Sequence, residues 1–482
     1  MKYFLCALAL SLGVAYAENV TPNMLNQTHD GASIQGGTYF NTAGSETKFI
    51  NSAGTGITLD PGKTVRGVEA ANGMYTGNGG AIHIQAPDQV VRLNGNIDVR
   101  GFLPNGSTGS IGDGGKVTID ASYLFQNGNI YAGGFNGGNV QFNVGGMTMA
   151  SGSRIDASGN GVTYFNDDPN YPYPHPVNFG LGGKVTINST GDVTISKDAL
   201  IKTHGAYFST APDLSQPSSL TPNISIVGRA VNMDGVLYAA DTTKSSDGHI
   251  SLVSTGIDGD INIGKDAILQ SGGGVITVDS QRDINQDGAI LNTGGTRFVA
   301  FDPNVDNMTL GSVWGANGGK VNLIALGAIK NSGRIQADGG TSIDGSPFGM
   351  DLLDRTTMPY TLIKAPGFSG GDGGTIVLNA PNIENTGVIR AIGSSIAPSQ
   401  DPGVRVSSAG GSGGSVNFSS NPTGDGVVAV FQGAGANTDT LKMFSSVFPQ
   451  FESIKPGTLG TITAPDPVNS TNQLFGVWKK AP

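Results

Sequence analysis

Carboxylates set two residues from a basic side chain are the first chemistry this sequence offers. Asp98 with Arg100, and Arg154 with Asp156, lie in stretches where apolar and polar residues alternate. In a strand that spacing puts both members of a pair on one face. A β-structured glycoside hydrolase or lyase needs such a face, with one carboxylate to give or take a proton and a second group in reach. A solvated strand face produces the same pairs with no chemistry attached. A second set is Asp120, Asn143, Asn188, Asp279 and Asn379, which fall at equivalent places after a recurring phrase. They read as acid–base or calcium ligands, or as a polar ladder stacked at one bend and satisfying turn backbone. Because Asn occurs there as often as Asp, hydrogen bonding rather than charge selects the position, which favours the ladder. Asp113 and Asp372 sit in glycine-rich turns faintly like calcium-binding turns. The nonapeptide period that a repeat calcium site requires is missing.

Other motifs fail on context. Gly410-Gly411-Ser412-Gly413-Gly414 fits a nucleophile pattern but leads into a strand, not into a strand-to-helix elbow. Gly62-Lys63-Thr64 resembles the end of a phosphate loop, yet Ile57 stands where the earlier glycine belongs. The five histidines, His29, His83, His175, His204 and His249, show no metal-ligand spacing. No catalytic residue, metal or cofactor is assigned from these signals. The best ligand-binding candidates are Tyr164, Phe165, Tyr171, Tyr173 and His175, in a segment interrupted by four prolines. Their rings would stack on sugars or pack on a protein partner. The alternative is a loop folded back on its own scaffold.

The elements that position these residues are set by repetition. Nine times the chain returns to Gly-Gly, one residue, then two apolar residues separated by a polar one, as in Gly137-Gly138-Asn139-Val140-Gln141-Phe142 and, more loosely, Asp247-Gly248-His249-Ile250-Ser251-Leu252. A second phrase alternates with it, as in Ser153-Arg154-Ile155-Asp156-Ala157-Ser158-Gly159 and Gly333-Arg334-Ile335-Gln336-Ala337-Asp338-Gly339. The small residue two after the isoleucine (Val99, Ala157, Ala337, Ala391) is expected to point inward. Both phrases have the period of a strand, and both are bounded by Gly and Asn, residues that tolerate positive φ in turns. One copy cannot bury its own apolar face, so copies must stack.

The expected fold is therefore all-β, a parallel β-helix with N- and C-terminal caps. Propeller blades would need regular antiparallel hairpins, whose signals are missing. With roughly 20–25 residues per coil, about 15–18 coils would form a rod on the order of 70–90 Å long. The expected organisation is a signal peptide over 1–17, an N-terminal cap and first coils over 18–75, and the β-helix body over 76–432. Insertions are placed at 164–179, 206–222 and 347–368, and a C-terminal cap or docking tail at 433–482. Long loops on a rigid scaffold are where binding function concentrates.

Composition narrows the function. Gly is 76 of 482 residues and charged residues are only 13%. The net charge of −10 argues against nucleic acid or an anionic membrane as partner. Lys2, the apolar run Phe4 to Val14, and Ala15-Tyr16-Ala17 before Glu18 form a secretory signal with cleavage between Ala17 and Glu18. The single cysteine, Cys6, lies inside that signal, so a processed chain carries no disulfide.

The alternation of Gly-Gly-x-Val-x-Ile with Gly-x-Ile-x-Ala-x-Gly over 76–419 resembles the repeats of filamentous-haemagglutinin-like exoproteins of two-partner secretion. That resemblance implies a right-handed β-helix, export from a Gram-negative cell with an outer-membrane partner, and an adhesive or matrix role at the cell surface. Thr21-Pro22-Asn23 comes nearest to the Asn-Pro-Asn-type motifs of that family's secretion domain. The reading is a secreted, non-enzymatic adhesin or extracellular matrix component that meets a carbohydrate or host-surface ligand. The alternatives are a polysaccharide-active lyase or hydrolase, and a filament subunit that self-associates through its caps.

Overall fold

The computed structural model describes residues 25–72, 74–102, 111–159, 162–165, 175–205, 223–239, 248–294, 296–298, 313–315, 317–340, 353–354, 361–362, 370–394, 410–433, 458–465 and 477–478. Among them there is no helix; the chain winds as a parallel β-helix. A representative coil has three strands, Asn139–Val144, Met147–Met149 and Arg154–Asp156, one per face. The next coil repeats them as Lys184–Ser189, Val193–Ile195 and Leu200–Lys202, each paired in parallel with its counterpart. First- and second-face strands make one 22-stranded sheet, and third-face strands a 14-stranded one. In the latter only Met74–Gly79 and Val477–Trp478 pair antiparallel.

Strand period explains the core. The two apolar residues of each Gly-Gly phrase face inward, and Val140, Phe142, Val185, Ile187, Ile276 and Val278 are all fully buried. The second phrase supplies Ile155, Ile335 and Ile389 from the third face, and its small residues Val99, Ala157, Ala337 and Ala391 are buried as expected. Like side chains therefore stack on like side chains along the axis, and each isoleucine is covered by the coils above and below. At the N-terminal end the inward column finishes in aromatic rings. His29 stacks on Phe49 at 5.2 Å, and Tyr39 meets both edge-on.

Coils are fewer and longer than the spacing of the phrases suggests. Asn139–Val144 pairs directly with Lys184–Ser189, so the long interval between these two Gly-Gly copies is one coil with an insertion and not two coils. Two first-face strands past the N-terminal coils escape the phrase for want of the doubled glycine. Ile224–Gly228 pairs with Lys184–Ser189 and His249–Ser254, and Thr461–Thr463 pairs with Ser415–Phe418. The latter brings residues beyond 433 into the stack.

Most of the doubled glycines act through space and not through positive φ, Gly273 at +102° being an exception. Gly114, Gly115, Gly137, Gly138, Gly182 and Gly183 have ordinary backbone angles. A Cβ on Gly115 would lie 2.1 Å from the Gly80 carbonyl oxygen, and one on Gly138 2.1 Å from that of Gly115. Backbone rests directly on backbone at this corner from coil to coil, and any side chain would force the coils apart.

Candidate functional site

The same corner carries every insertion. Each internal stretch outside the described residues, 466–476 excepted, begins past a third-face strand and ends before a first-face strand. One hydrogen bond closes the coil there whatever the length of chain it encloses. The N–H of the second glycine donates to the carbonyl of the small buried residue: Gly138 to Ala132, Gly183 to Ala157, Gly374 to Ala337, Gly414 to Ala391, at 2.6–2.9 Å. Residues 133–137 form one enclosed segment and residues 338–373 another. A buried carbonyl must have a partner, so the bond is made in each case.

Above the glycines runs an open groove of about 740 Å³. It extends from the coil of Thr47–Ile50 to that of Ile224–Gly228. Its floor is glycine backbone; its walls hold Glu46, Glu69, Asp113, Lys116, Asn136, Asn139, Lys184 and Asn223. Such a channel fits an extended polar chain lying along the axis.

A staircase of short polar side chains runs along the corner, with Asp113 and Asn136 in the groove itself. Asp113 Oδ1 accepts the Asn136 N–H at 3.1 Å and its amide Nδ2 at 2.9 Å. Asn78 Oδ1 accepts the Asp113 N–H at 3.0 Å, and Asn136 Oδ1 accepts that of Leu181 at 3.0 Å. Further along, Asn317 Oδ1 accepts the Asp372 N–H at 2.9 Å, Asp372 Oδ1 that of Ser412 at 2.7 Å, and the Ser412 hydroxyl that of Thr458 at 3.1 Å. The turns that resembled calcium sites are thus coil-to-coil struts, and Ser412 is one of them. No group of metal-ligating side chains occurs among the described residues.

The Asp/Asn set behaves differently from a bend ladder. Asn143 Nδ2 donates to Asp120 Oδ1 at 2.9 Å, and Asn188 Nδ2 to Asn143 Oδ1 at 3.2 Å. This ladder runs side chain to side chain on the outer first face, inside the strands. Asp279 and Asn379 take no part, because Ile324 stands between them in register. Bend backbone is satisfied one residue later, where Ser189 and Ser280 donate to the carbonyls of Gly191 and Asp283 at 3.0 Å each. At the N-terminal end of the ladder His83 bridges two carboxylates, Nδ1 3.1 Å from Glu46 and Nε2 2.7 Å from Asp120. Three separate coils meet there, and no local motif marks it.

The Asp–Arg pairs form on the outer third face, with the arginines exposed and the carboxylates largely covered. Asp98 is only 5% exposed, held by Arg100 at 2.8 Å and Arg66 at 3.3 Å, with the Arg100 guanidinium 5.0 Å above the Tyr131 ring. Asp156 bonds Arg154 and accepts the Ser158 N–H at 3.1 Å. Burial alone would raise the pKa of Asp98; bonds and charge from Arg100 and Arg66 outweigh it and hold the carboxyl below its ordinary value. Asp156 and Glu46 follow the same balance, burial being overcome by Ser158 and Arg154 in one case and by His83 and Lys48 in the other. A general acid needs the opposite shift.

Of the aromatic candidates, Tyr164 and Phe165 lie on a hairpin that leaves the corner between Ala157 and Gly183. Val162–Phe165 pairs antiparallel with His175–Phe179, Tyr164 opposite Pro176 and Phe165 opposite His175. Tyr171 and Tyr173 lie outside the described residues, as do Ala17, Glu18 and the insertion 206–222. Two more corner insertions carry short hairpins, Thr296–Phe298 with Val313–Gly315 and Leu353–Asp354 with Thr361–Leu362. The first was not among the expected insertions.

Comparison with protein-family models, with curated proteins and with solved structures returns no match to this chain. Fold and site together define the class as a three-faced parallel β-helix whose insertions between coils leave from one corner.

Proposed function

We propose that this chain is an exported, non-enzymatic β-helical surface protein, an adhesin or extracellular matrix component. It holds an extended carbohydrate or cell-surface ligand along its loop-bearing corner. The observation that carries the reading is that insertion after insertion leaves the coils at one corner, where a polar groove opens over the coils from Thr47–Ile50 to Ile224–Gly228. The carboxylates measured near that groove are employed in holding coils together, which supports binding over proton transfer. Export rests on the signal-like first residues, and an outer-membrane secretion partner on the repeat style.

The test uses the protein from residue 18 onward on a glycan array, beside a variant whose residues 158–182 are replaced by the short natural segment 133–137. Retained folding with loss of glycan binding is the expected result. Undiminished binding would sink the corner as the ligand site. Release of new reducing ends or unsaturated sugars from a bound polysaccharide would replace the adhesin with a lyase or hydrolase, and concentration-dependent fibres would replace it with a filament subunit.

A further inference from the structure

Among the arginines with described side chains, Arg92 alone bonds neither a carboxylate nor an amide. Arg92 is exposed on the second face, where the strand Ala81–Leu93 presents it between Thr58 and Phe125 of the adjoining coils. Its guanidinium lies 5.5 Å from the centre of the Phe125 ring and makes no ion pair. The other arginines with described side chains each bond a carboxylate or, for Arg334, an amide. Phe125 is itself 41% exposed, on a wall continued by Thr148, Thr194 and Asn232. Tyr123 packs against it with ring centres 4.6 Å apart and is fixed by its hydroxyl, 2.8 Å from that of Thr148 on the next coil. The insertions leave the coils at a different corner.

We propose that Arg92, Phe125 and Tyr123 form a second, separate carbohydrate subsite that takes a uronate residue of an acidic glycan. A guanidinium near an aromatic ring that makes no ion pair keeps N–H donors free, and its planar fork matches a carboxylate bidentately. The exposed part of the Phe125 ring offers an apolar surface to the C–H face of a sugar ring. On a chain of net charge −10, an unpaired arginine set on an exposed aromatic is a local inversion of charge that suits an anionic sugar.

Calorimetric titration of the full processed chain with polygalacturonate, dextran sulfate and neutral dextran tests this. Polygalacturonate is expected to bind, and Arg92→Gln and Phe125→Ala each to weaken it about tenfold. Arg92→Lys should recover only part of the loss, since it keeps the charge but not the planar fork. The variant shortened at 158–182 should bind polygalacturonate as the parent does, which separates this subsite from the corner. Both side chains point outward, and unchanged melting confirms folding; if Phe125→Ala does not fold, the two Arg92 variants decide. No binding of polygalacturonate, equal binding by the Arg92 variants, or stronger binding of dextran sulfate with no dependence on Phe125 would overturn the proposal.

Discussion

His204 Nδ1 lies 2.6 Å from the hydroxyl of Ser158, although 46 residues separate them in sequence. The pair ties consecutive coils at the end of the third face, at the foot of two insertions. Ser158 is fully buried and its neighbour Asp156 serves the Ser158 N–H, so the three groups do not form the order that activates a serine.

Acid should loosen this tie. Burial lowers the pKa of His204 to about 4, with the charges of Lys202 and Arg154 adding to the effect and Asp156 opposing it. Unfolded histidine titrates near 6.5, so between about pH 6.5 and 4 the unfolded chain binds a proton the folded one does not. Stability is therefore lost as pH falls through that window. Asp98 and Asp156, with depressed pKa values, contribute stability that is lost only as pH falls through the ordinary carboxylate range and below it. Calorimetric melting from pH 7 to 4 should show a flatter profile for His204→Gln than for the parent. An identical slope would remove His204 from the account.

Glycine at the corner is required by contact. The Cβ of an alanine at Gly138 would meet backbone that cannot move without separating coils. Gly138→Ala should therefore cost about 3 kcal/mol or more. Gly152 has a φ of +77° and nothing within 4 Å of its Cβ position. Gly152→Ala should cost about 1–2 kcal/mol, from the left-handed backbone alone. Urea denaturation of the two variants reads the difference; equal costs would argue against direct backbone stacking.

Face alternation makes a paired prediction. Ile187→Ala should lose about 2–5 kcal/mol through the cavity it leaves. Its outward neighbour Thr186→Ala should stay within about 0.5 kcal/mol. Comparable losses would mean the register of that strand is wrong by one residue.

The Asp113 strut predicts indifference to metal. Asp113→Ala should cost about 1–2 kcal/mol, since it removes two exposed hydrogen bonds from Asn136. It should also raise amide exchange at Asn136, whose N–H loses its acceptor. Melting of the parent protein should not respond to calcium or to a chelator. A calcium-dependent rise that Asp113→Ala abolishes would restore the metal reading of that turn.

Inward positions were legible because they follow from a period that a single strand displays. Val140 and Phe142 needed only their own neighbours to be placed in the core. Contacts between coils were not legible in the same way. His83 meets Glu46 and Asp120 from 37 residues away on either side, and that depends on which residues fall in register after insertions of unequal length. One signal was available and unused: an Asn, Asp or Ser directly precedes most of the doubled glycines, as at Asn78, Asp113, Asn136, Asn317, Asp372 and Ser412. Those residues became the struts. The strand at Ile224 was hidden because Thr221 and Pro222 stand in sequence where the phrase has its two glycines; Asn223, in register with Lys184, accepts the His249 N–H on its Oδ1 at 3.0 Å.

The hydrogen bond from the second glycine to the small buried residue is the same beneath residues 133–137 and beneath residues 338–373. Its consequence is modularity. A coil finishes its own fold below that bond, so the segment above it is free to change in length and composition without disturbing the stack. A lineage can diversify what the rod displays while inheriting the rod unaltered, and an engineer can use each such foot as a socket for grafting a foreign loop.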